Sequence, residues 1–302
     1  MSIQFKAIAV LATCVAALCA CSVNSNGPTV PGPSASSAPA SAEPSLRHVT
    51  IPGTQSGLGS MPADVWLPPQ YFTSPDTKFP VVYLYHGVPG ESTDWFGPDQ
   101  AGPIALSNAQ NGMPAVYVAP TVTPVAQPSV DTECVDGPAG NWFTYISKDV
   151  PSWVSQNLRV IGDAGHTAAG GLSMGGTCAQ LFALKAPNQV SAFANISGTT
   201  AAQSRAGVGG LFGDDDPNQL ANQYNSTWLI TNQPASRSVA SWLAVGDDDT
   251  DVLKADQNNY AAAATQLGMS VTQDSLQGGH STKTWIEGLT AWLQWVLPKI
   301  SN

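Results

Sequence analysis

Ser173, flanked by small residues, is the strongest candidate for a chemically active side chain in this sequence. It stands in Gly171-Leu172-Ser173-Met174-Gly175, a G-x-S-x-G pattern, and Gly170 and Gly176 extend the run of small residues. A serine hydroxyl is a poor nucleophile unless a base removes its proton and donors stabilise the negative oxygen that forms. A sharp turn between a strand and a helix exposes such a hydroxyl, and close packing there requires small neighbours. The pattern predicts a nucleophilic serine, and a glycine-rich turn with an inert serine is the alternative.

A histidine is the expected base, and the sequence contains four of them. His280 follows the last predicted strand, in Gly278-Gly279-His280-Ser281, and opens the last predicted helix. The base that serves such a nucleophile turn follows the last strand of the sheet, so the position favours His280 over a merely exposed histidine. His86 ends the first strong strand and is predicted to be a structural turn residue. His48 lies near the N-terminal segment, and His166 precedes the nucleophile strand.

An acidic residue should orient the histidine and lie between the serine and the histidine in the chain. Four aspartates follow the predicted strand 241–245 and Gly246: Asp247, Asp248, Asp249 and Asp251. Asp249, three residues after the glycine, is preferred, and Asp248 and Asp251 remain open. An acidic surface loop is one alternative, and a calcium loop helped by residues 214–216 is another. Neither cluster has the spaced ligand pattern of a calcium loop, so no metal is predicted.

Two backbone N–H groups should stabilise the oxyanion of an acyl-transfer intermediate. Met174, next to the nucleophile, is expected to supply one of them. The other is expected from the loop after Tyr85-His86-Gly87, at Val88.

The elements that position these residues alternate between apolar strand-like runs and helical patterns, which favours a largely parallel sheet. The predicted strands are 79–85, 115–119, 167–172, 190–196, 241–245 and 270–276. The predicted helices are 148–158, 174–186, 255–267 and 282–297, and the apolar stripe of the last one is interpreted as core. Residues 46–302 show no internal linker, so one domain with helices on both faces of the sheet is expected.

The first 45 residues are not expected to belong to this domain. Lys6 and an apolar run over 7–20 fit a signal peptide (residues 1–20), since the run is too short to cross a bilayer comfortably. Leu18-Cys19-Ala20-Cys21 resembles a bacterial lipobox, which predicts a lipid on Cys21; an ordinary signal peptide is the alternative. Residues 21–45 are rich in Pro, Ser and Ala and are predicted to be a tether. The expected location is outside the cytoplasm, anchored to a membrane or secreted.

Cysteines and charge restrict the compartment and the partners. Cys134 and Cys178 remain once the N-terminal cysteines are set aside, so a disulfide bond is expected in an oxidising compartment, with two buried thiols as the alternative. The formal net charge is −10 in 302 residues. Nucleic acid is therefore not an expected partner, because binding a polyanion requires a basic patch. No cofactor is predicted, and a monomer is expected.

Several of these motifs resemble the esterase D-type family of α/β hydrolases, which includes the antigen 85 mycolyltransferases and bacterial feruloyl esterases. The likeness covers most of residues 65–297. It is carried by Asn141-Trp142-Phe143 through Leu158, by Gly170 to Gly176, by Asn195-Ile196-Ser197-Gly198, and by His280-Ser281 with Trp285. The resemblance implies an α/β-hydrolase fold, a triad of Ser173, an acid near Asp249 and His280, and oxyanion donors at Val88 and Met174.

Two departures from the mycolyltransferase pattern shape the predicted function. Pro89 stands where those enzymes carry an arginine, and the acid is Asp rather than their Glu. The loop 131–137 and Cys178 look instead like a related group of actinobacterial esterases, and a Cys134–Cys178 bond would make that loop a wall of the substrate pocket. The prediction is a serine carboxylesterase acting on an acyl ester. The alternatives are an acyltransferase that moves the acyl group to an envelope sugar or lipid, and a catalytically silent binding or adhesion protein.

Overall fold

The computed structural model describes residues 42–97, 100–203, 207–213 and 217–301. The predicted signal peptide, Cys21 and residues 21–41 of the predicted tether lie outside the described residues, as does the acidic cluster 214–216. The first strand begins at Ser45. The described residues from there onward form one domain around a central sheet.

Eight of the ten described strands form one sheet, in the order β1-β2-β4-β3-β7-β8-β9-β10. The strands are β1 (Ser45–Gly53), β2 (Gly59–Leu67), β3 (Val81–Tyr85), β4 (Val116–Pro120), β5 (Asp136–Gly137), β6 (Gly140–Asn141), β7 (Thr167–Leu172), β8 (Ala192–Ile196), β9 (Ala240–Gly246) and β10 (Val271–Leu276). All neighbours from β4 to β10 are parallel, whereas β2 is antiparallel to both β1 and β4. Strands β5 and β6 form a separate small hairpin.

Ten α-helices are described around this sheet. They are α1 (Gln70–Thr73), α2 (Ala101–Gln110), α3 (Trp142–Thr144), α4 (Val150–Asn157), α5 (Met174–Lys185), α6 (Gly207–Phe212), α7 (Pro217–Gln223), α8 (Ser226–Asn232), α9 (Asp251–Gln266) and α10 (Thr282–Ile300). A turn of π-helix, Tyr145–Asp149, joins α3 to α4, and three short 3₁₀ turns lie at Ser92–Trp95, Ala164–His166 and Pro234–Ser238. In the part of the chain that the structure describes, none of the helices is both long and apolar enough to span a membrane.

Two apolar cores cover the two faces of the sheet. Residues of α4, α5 and α9 pack on one face, around Phe182 and Phe193. Residues of α2 and α10 pack on the other, around Trp242 and Trp292. Strands β3, β4 and β8 are buried along their whole length, as expected for strands that helices cover on both sides. The predicted mostly parallel sheet with helices on both faces is confirmed.

The structure extends the predicted elements at several points. The antiparallel hairpin of β1 and β2 was not predicted, because β1 is largely exposed and proline interrupts both strands, at Pro52 and Pro62. The helix predicted over 148–158 forms the second half of a longer helical segment that begins at Trp142. Helix α2 was also missed, since Gly102 and Pro103 fall within its first turn.

The carboxyl ends of the parallel strands bring the candidate residues together. The loops after β3, β7, β9 and β10 carry Val88, Ser173, Asp249 and His280 respectively. Because these strands are parallel, the four loops leave the sheet at the same edge, which is where open α/β sheets place their ligand sites.

Candidate active site

Ser173 occupies a sharp turn between β7 and α5. Its φ is +53°, in the left-handed region that side-chain-bearing residues rarely adopt. The Ser173 N–H donates to the carbonyl of Ile196 on the neighbouring strand (2.8 Å), and its own carbonyl accepts the N–H of Gly176 (2.8 Å). The neighbouring strand and the first turn of the helix therefore hold the strained conformation in place.

Two glycines make this turn sterically possible. A Cβ atom on Gly171 would lie 2.1 Å from the carbonyl oxygen of Gly175, and one on Gly175 would lie 2.0 Å from the carbonyl oxygen of Tyr85. Both approaches involve backbone atoms, which cannot move aside as a flexible side chain can. The small residues of the motif are thus required by the close contact of strand β7, helix α5 and the end of β3.

A continuous chain of hydrogen bonds joins Ser173, His280 and Asp249. His280 Nε2 lies 3.0 Å from Ser173 Oγ, and His280 Nδ1 lies 3.0 Å from Asp249 Oδ2. A carboxylate only accepts hydrogen bonds, so the imidazole proton is on Nδ1 and Nε2 is the acceptor that faces the serine hydroxyl. The Asp249 side chain is 3% exposed and that of His280 is 43% exposed, so the chain runs from the interior to the open site.

The structure distinguishes Asp249 from its acidic neighbours. Asp247 and Asp248 are exposed, and the Asp247 carboxylate accepts the N–H of Gly278 (2.7 Å). Asp251 is the first residue of α9 and forms an exposed ion pair with Lys254. Asp249 alone among the four reaches His280, and its second carboxylate oxygen accepts the N–H of Thr250 (2.8 Å).

The other three histidines lie elsewhere. His48 pairs with Asp64 on the β1–β2 hairpin, and His166 pairs with Asp163 before β7. His86 is fully buried directly after β3, beside the loop that carries Val88. These positions leave His280 as the histidine in contact with Ser173.

His86 anchors the loop between β3 and the site. The Val122 N–H donates to His86 Nε2 (2.9 Å), so the ring proton is on Nδ1, which donates to the Gly87 carbonyl (2.7 Å). Burial lowers the pKa of His86 below its ordinary value, although the Gly87 hydrogen bond and nearby carboxylates oppose the shift. His86 is therefore neutral, and its two hydrogen bonds link this loop to the segment directly after β4.

Val88 and Met174 lie on two sides of Ser173. Met174 is the first residue of α5, so its N–H has no intrahelical partner. The loop that carries Val88 passes close to the nucleophile, since a Cβ on Gly87 would lie 3.2 Å from the Cβ of Ser173. Both residues line the same depression as Ser173 and His280.

Two depressions meet at Ser173 and His280. The first, here called the cleft, has a volume of about 460 Å³ and includes Val88, Glu133, Met174, Ser197, Leu253 and Asp256 in its walls. The second, here called the slot, has a volume of about 280 Å³ and includes Val88, Pro89, Trp95, Leu172, Trp285 and Ile286. Polar side chains occur in the walls of both depressions, Glu133, Ser197 and Asp256 in the cleft and Asp94, Gln100 and Thr282 in the slot.

Trp285 packs against the core, as predicted, and has a second contact that was not predicted. The whole apolar stripe of the last helix was interpreted as core, and Leu289, Trp292 and Leu293 are indeed buried. Trp285, at the start of that stripe, is only half-buried and meets the His280 ring edge to face, with centroids 5.0 Å apart and planes at 90°. Its position directly after the His280 loop is the sequence signal that could have indicated this contact.

The disulfide bond between Cys134 and Cys178 fixes one wall of the cleft. The two Cα atoms are 5.3 Å apart, and the bond ties the loop 131–134 to helix α5. Asp131 and Glu133 in this loop line the cleft. Burial, together with the adjacent Asp131 carboxyl, raises the pKa of Glu133 well above its ordinary value. Sequence reasoning identified the loop as a wall but missed Glu133 and the other lining residue Ser197.

Within the described residues, no group of three or more His, Cys, Asp and Glu side chains is arranged so that it could hold a metal ion.

Comparison with known proteins places the chain in a family. A family model described as putative esterase matches residues 56–296, and the chain belongs to this family. An uncharacterized protein of Corynebacterium glutamicum is 30% identical over 83% of this chain and 61% of its own length. An esterase of Mycobacterium tuberculosis is 25% identical over 74% of this chain and 54% of its own length. The chain thus spans little more than half the length of these relatives.

A solved structure of a ferulic acid esterase superposes with a TM-score of 0.73 at 20% sequence identity. The superposition covers 85% of this chain and 99% of the solved one. This similarity shows that the fold is an α/β-hydrolase fold. Together with the family match, it confirms the predicted likeness to esterases of that fold.

Proposed function

We propose that this protein is a serine carboxylesterase with Ser173 as nucleophile, His280 as base and Asp249 as the orienting acid. The observation that carries the proposal is the hydrogen-bonded chain Ser173–His280–Asp249, with both distances at 3.0 Å. Membership of the putative-esterase family and the similarity to an esterase of Mycobacterium tuberculosis support the choice of ester chemistry.

The reaction begins with proton transfer from the Ser173 hydroxyl to His280 Nε2 as Oγ attacks the ester carbonyl carbon. The imidazolium that forms is stabilised by Asp249, which accepts the Nδ1–H. The carbonyl oxygen becomes negative and accepts the N–H groups of Met174 and Val88. Donors fixed before the reaction need no reorganisation, and each is worth about 10²- to 10³-fold in rate.

The tetrahedral intermediate collapses when His280 donates its proton to the leaving alcohol oxygen, and Ser173 retains the acyl group. Water then attacks the acyl-enzyme, again with His280 as the base, and releases the acid. The buried Asp249 carboxylate holds the imidazole in the tautomer that both halves of the reaction require.

The substitution Ser173→Ala tests this assignment. We expect the kcat for p-nitrophenyl acetate to fall by about 10⁴-fold or more, because the acyl-enzyme can no longer form. A fluorophosphonate probe should label the wild-type protein at Ser173 and leave the variant unlabelled. The matched control is Ser155→Ala, an exposed residue on α4 that lines neither depression and whose hydroxyl bonds the Ser152 carbonyl. Equal activity of wild type and Ser173→Ala would refute the assignment.

We propose further that the protein acts outside the cytoplasm, attached to a membrane through a lipid on Cys21. The lipobox-like Leu18-Cys19-Ala20-Cys21 supports the anchor, and the Cys134–Cys178 disulfide bond supports an oxidising compartment. Cys21→Ala should move the expressed protein from the membrane pellet to the soluble fraction. An N-terminal peptide of the wild type whose mass shows an unmodified Cys21 would contradict the anchor.

A further inference from the structure

Backbone strain in the described part of the chain is concentrated at the cleft. Four non-glycine residues there have a positive φ: Glu133 (45°), Cys134 (49°), Ser173 (53°) and Ser197 (54°). Three of them line the cleft, and Cys134 is next to Glu133 in the chain. Such residues persist only where the surrounding structure imposes them, and they cluster at functional sites. The nucleophile turn accounts for Ser173, whereas the mechanism above uses neither Glu133 nor Ser197.

Ser197 presents an unused hydroxyl at the end of β8. It is 2% exposed, and its N–H donates to the Ala244 carbonyl (2.8 Å), which fixes the backbone. Its Oγ is buried without a hydrogen-bond partner, although the residue lines the cleft next to the nucleophile turn. A buried hydroxyl without a partner is unfavourable and rare, so its presence in a cleft wall indicates that a ligand supplies the partner.

Glu133 presents a second such group, from the loop 131–134. The residue is 5% exposed, and its Oε2 is buried without a hydrogen-bond partner. The carboxyl is otherwise hydrogen-bonded to the Asp131 carboxyl, the backbone of Gln203 and the side chain of Thr177, so that only Oε2 is left to a ligand. Two carboxyl groups that bond each other require a proton between them. Burial favours the protonated form for the same reason that it raises the pKa of Glu133. The Cys134–Cys178 bond holds this carboxyl at the cleft.

The remaining carboxylates of the cleft already have partners. Asp256 accepts the N–H of Thr200 (2.7 Å) and its hydroxyl (3.0 Å). Asp249 accepts from His280 and Thr250. The groups left to a ligand are a hydroxyl and a neutral carboxyl, which suit an uncharged hydroxyl better than a cation. Apolar side chains such as Met174 and Leu253 complete the walls and can contact the carbon skeleton of such a ligand.

We propose that the cleft binds a neutral, hydroxyl-bearing part of the ester substrate, recognised by the Ser197 hydroxyl and the Glu133 carboxyl. Both side chains are then specificity-determining residues for polyol esters. The proposal rests on the proposed esterase function, and it specifies the substrate class of that same site.

Matched pairs of esters that differ only by replacement of hydroxyl with methyl test the proposal. With hydroxyls on the alcohol side, the pair is 2,3-dihydroxypropyl acetate and 2-methylbutyl acetate. With hydroxyls on the acyl side, the pair is ethyl 3,4-dihydroxybutanoate and ethyl 3-methylpentanoate. We expect kcat/KM of the wild-type protein to favour the hydroxylated member of one pair by about tenfold or more, because a site built to bond a hydroxyl rejects the analogue that lacks it. The pair that shows the preference identifies the side of the ester in the cleft.

Two conservative variants then link the preference to the proposed residues. Ser197→Ala and Glu133→Gln should each reduce the hydroxyl preference at least fivefold, through a selective loss of kcat/KM on the hydroxylated ester. The matched controls are Ser155→Ala on α4 and Glu43→Gln, an exposed residue before β1, and both should keep the wild-type ratio. Thermal unfolding of each variant shows whether it is folded, and Ser197→Ala removes only one oxygen atom.

The proposal would be overturned if the wild type showed no preference in either pair, or if the two variants lost activity equally on both members of a pair. It would also be overturned if the wild type cleaved acetylcholine, an ester with a cationic group, faster than the dihydroxypropyl ester. Failure of the proposed function looks different, because the wild type would then cleave neither p-nitrophenyl acetate nor any ester of the two pairs.

Discussion

The cleft and the slot flank the same serine and histidine but are built in different ways. The loop 131–134 and the residues after β8 supply walls of the cleft, and polar side chains with strained backbone line it. The start of α10 and the turn at Ser92–Trp95 supply walls of the slot, where the side chains of Trp95, Trp285 and Ile286 lie beside those of Asp94, Gln100 and Thr282. Because separate elements form the two depressions, a change in one of them can alter the selectivity for one half of a substrate and leave the selectivity for the other half unchanged.

The greatest loss of activity should follow a change in Asp249, because this residue orients His280, which lines both depressions. Asp249→Asn should lower kcat by about 10⁴-fold, because an amide cannot stabilise the imidazolium or hold its tautomer. The loss should be equal for esters that fill the cleft and for those that fill the slot. Steady-state kinetics with p-nitrophenyl acetate and the dihydroxypropyl ester measure both.

The control for this prediction is Asp248→Asn in the same loop, whose exposed side chain does not reach His280. Its kcat should stay within about twofold of the wild type, as is usual for surface substitutions away from the site. A similar loss in both variants would mean that the loop as a whole, and not the Asp249 carboxylate, supports His280.

The next prediction concerns the disulfide bond, which fixes a wall of the cleft but not of the slot. Replacing both Cys134 and Cys178 with Ala removes a bond that spans 44 residues, and should lower the free energy of unfolding by about 2–4 kcal/mol. The hydroxyl preference should fall as well, since the Glu133 loop loses its attachment to α5. Urea unfolding measures the first effect and the ester pairs measure the second. An unchanged urea midpoint would contradict the stabilising role of the bond.

A bulky residue in the slot should change the preference for acyl-chain length and leave the hydroxyl preference unchanged. Ile286→Trp fills part of a volume of about 280 Å³ and should reduce kcat/KM for p-nitrophenyl hexanoate relative to the acetate by about tenfold. The hydroxyl preference should stay as in the wild type. The mirror variant is Val252→Trp at the rim of the cleft, where the side chain is exposed. Val252→Trp should leave the ratio of kcat/KM for the hexanoate to kcat/KM for the acetate as it is in the wild type. A decrease of this ratio in Val252→Trp would show that the long acyl chain occupies the cleft.

The smallest effect concerns the loop that both depressions share at Val88. The pKa of His86 is lowered in the folded state, so below pH 6.5 the unfolded chain binds more protons at this residue than the folded chain does. The contribution of His86 to the stability should therefore be full above pH 6.5 and fall as the pH decreases from 6.5 towards the folded-state pKa.

Urea unfolding at pH 7.5 and 5.5 measures this change. His86→Asn should show a smaller decrease than the wild type, because it lacks the titrating ring. His48→Asn, at a side chain that is 70% exposed, should keep the wild-type decrease. Identical pH dependence in wild type and His86→Asn would show that other groups cause it.

Sequence reasoning was most successful where the determinants are local. Strand β7, predicted over 167–172, has the same bounds in the structure, because a run of small and apolar residues ends at Ser173 and a helix follows directly. The positions of Asp249 and His280 could also be predicted from local sequence, since each comes a few residues after a predicted parallel strand. The choice of Asp249 among its neighbours needed the three-dimensional contact, because all four aspartates satisfy the chain order.

The residues that sequence reasoning missed depend on contacts between distant segments. Glu133 reaches the cleft because a bond to Cys178 holds its loop on α5, and nothing adjacent to Glu133 except Cys134 signals this. The Ser197 hydroxyl lies in the cleft because its backbone turns into a positive φ after β8, which a serine does not announce in the sequence. Polar residues of these types usually lie on the surface, so composition alone assigns them to solvent.

The contact of Gly175 with the Tyr85 carbonyl has a mechanical consequence. Since a methyl group there would lie 2.0 Å from that oxygen, the first turn of α5 and the loop after β3 are pressed together and move as one body. The distance between the nucleophile turn and the loop that carries Val88 is therefore set by backbone packing and not by side chains that can rotate. A substitution in the outer walls of the cleft or the slot can change their shape and leave this spacing as it is.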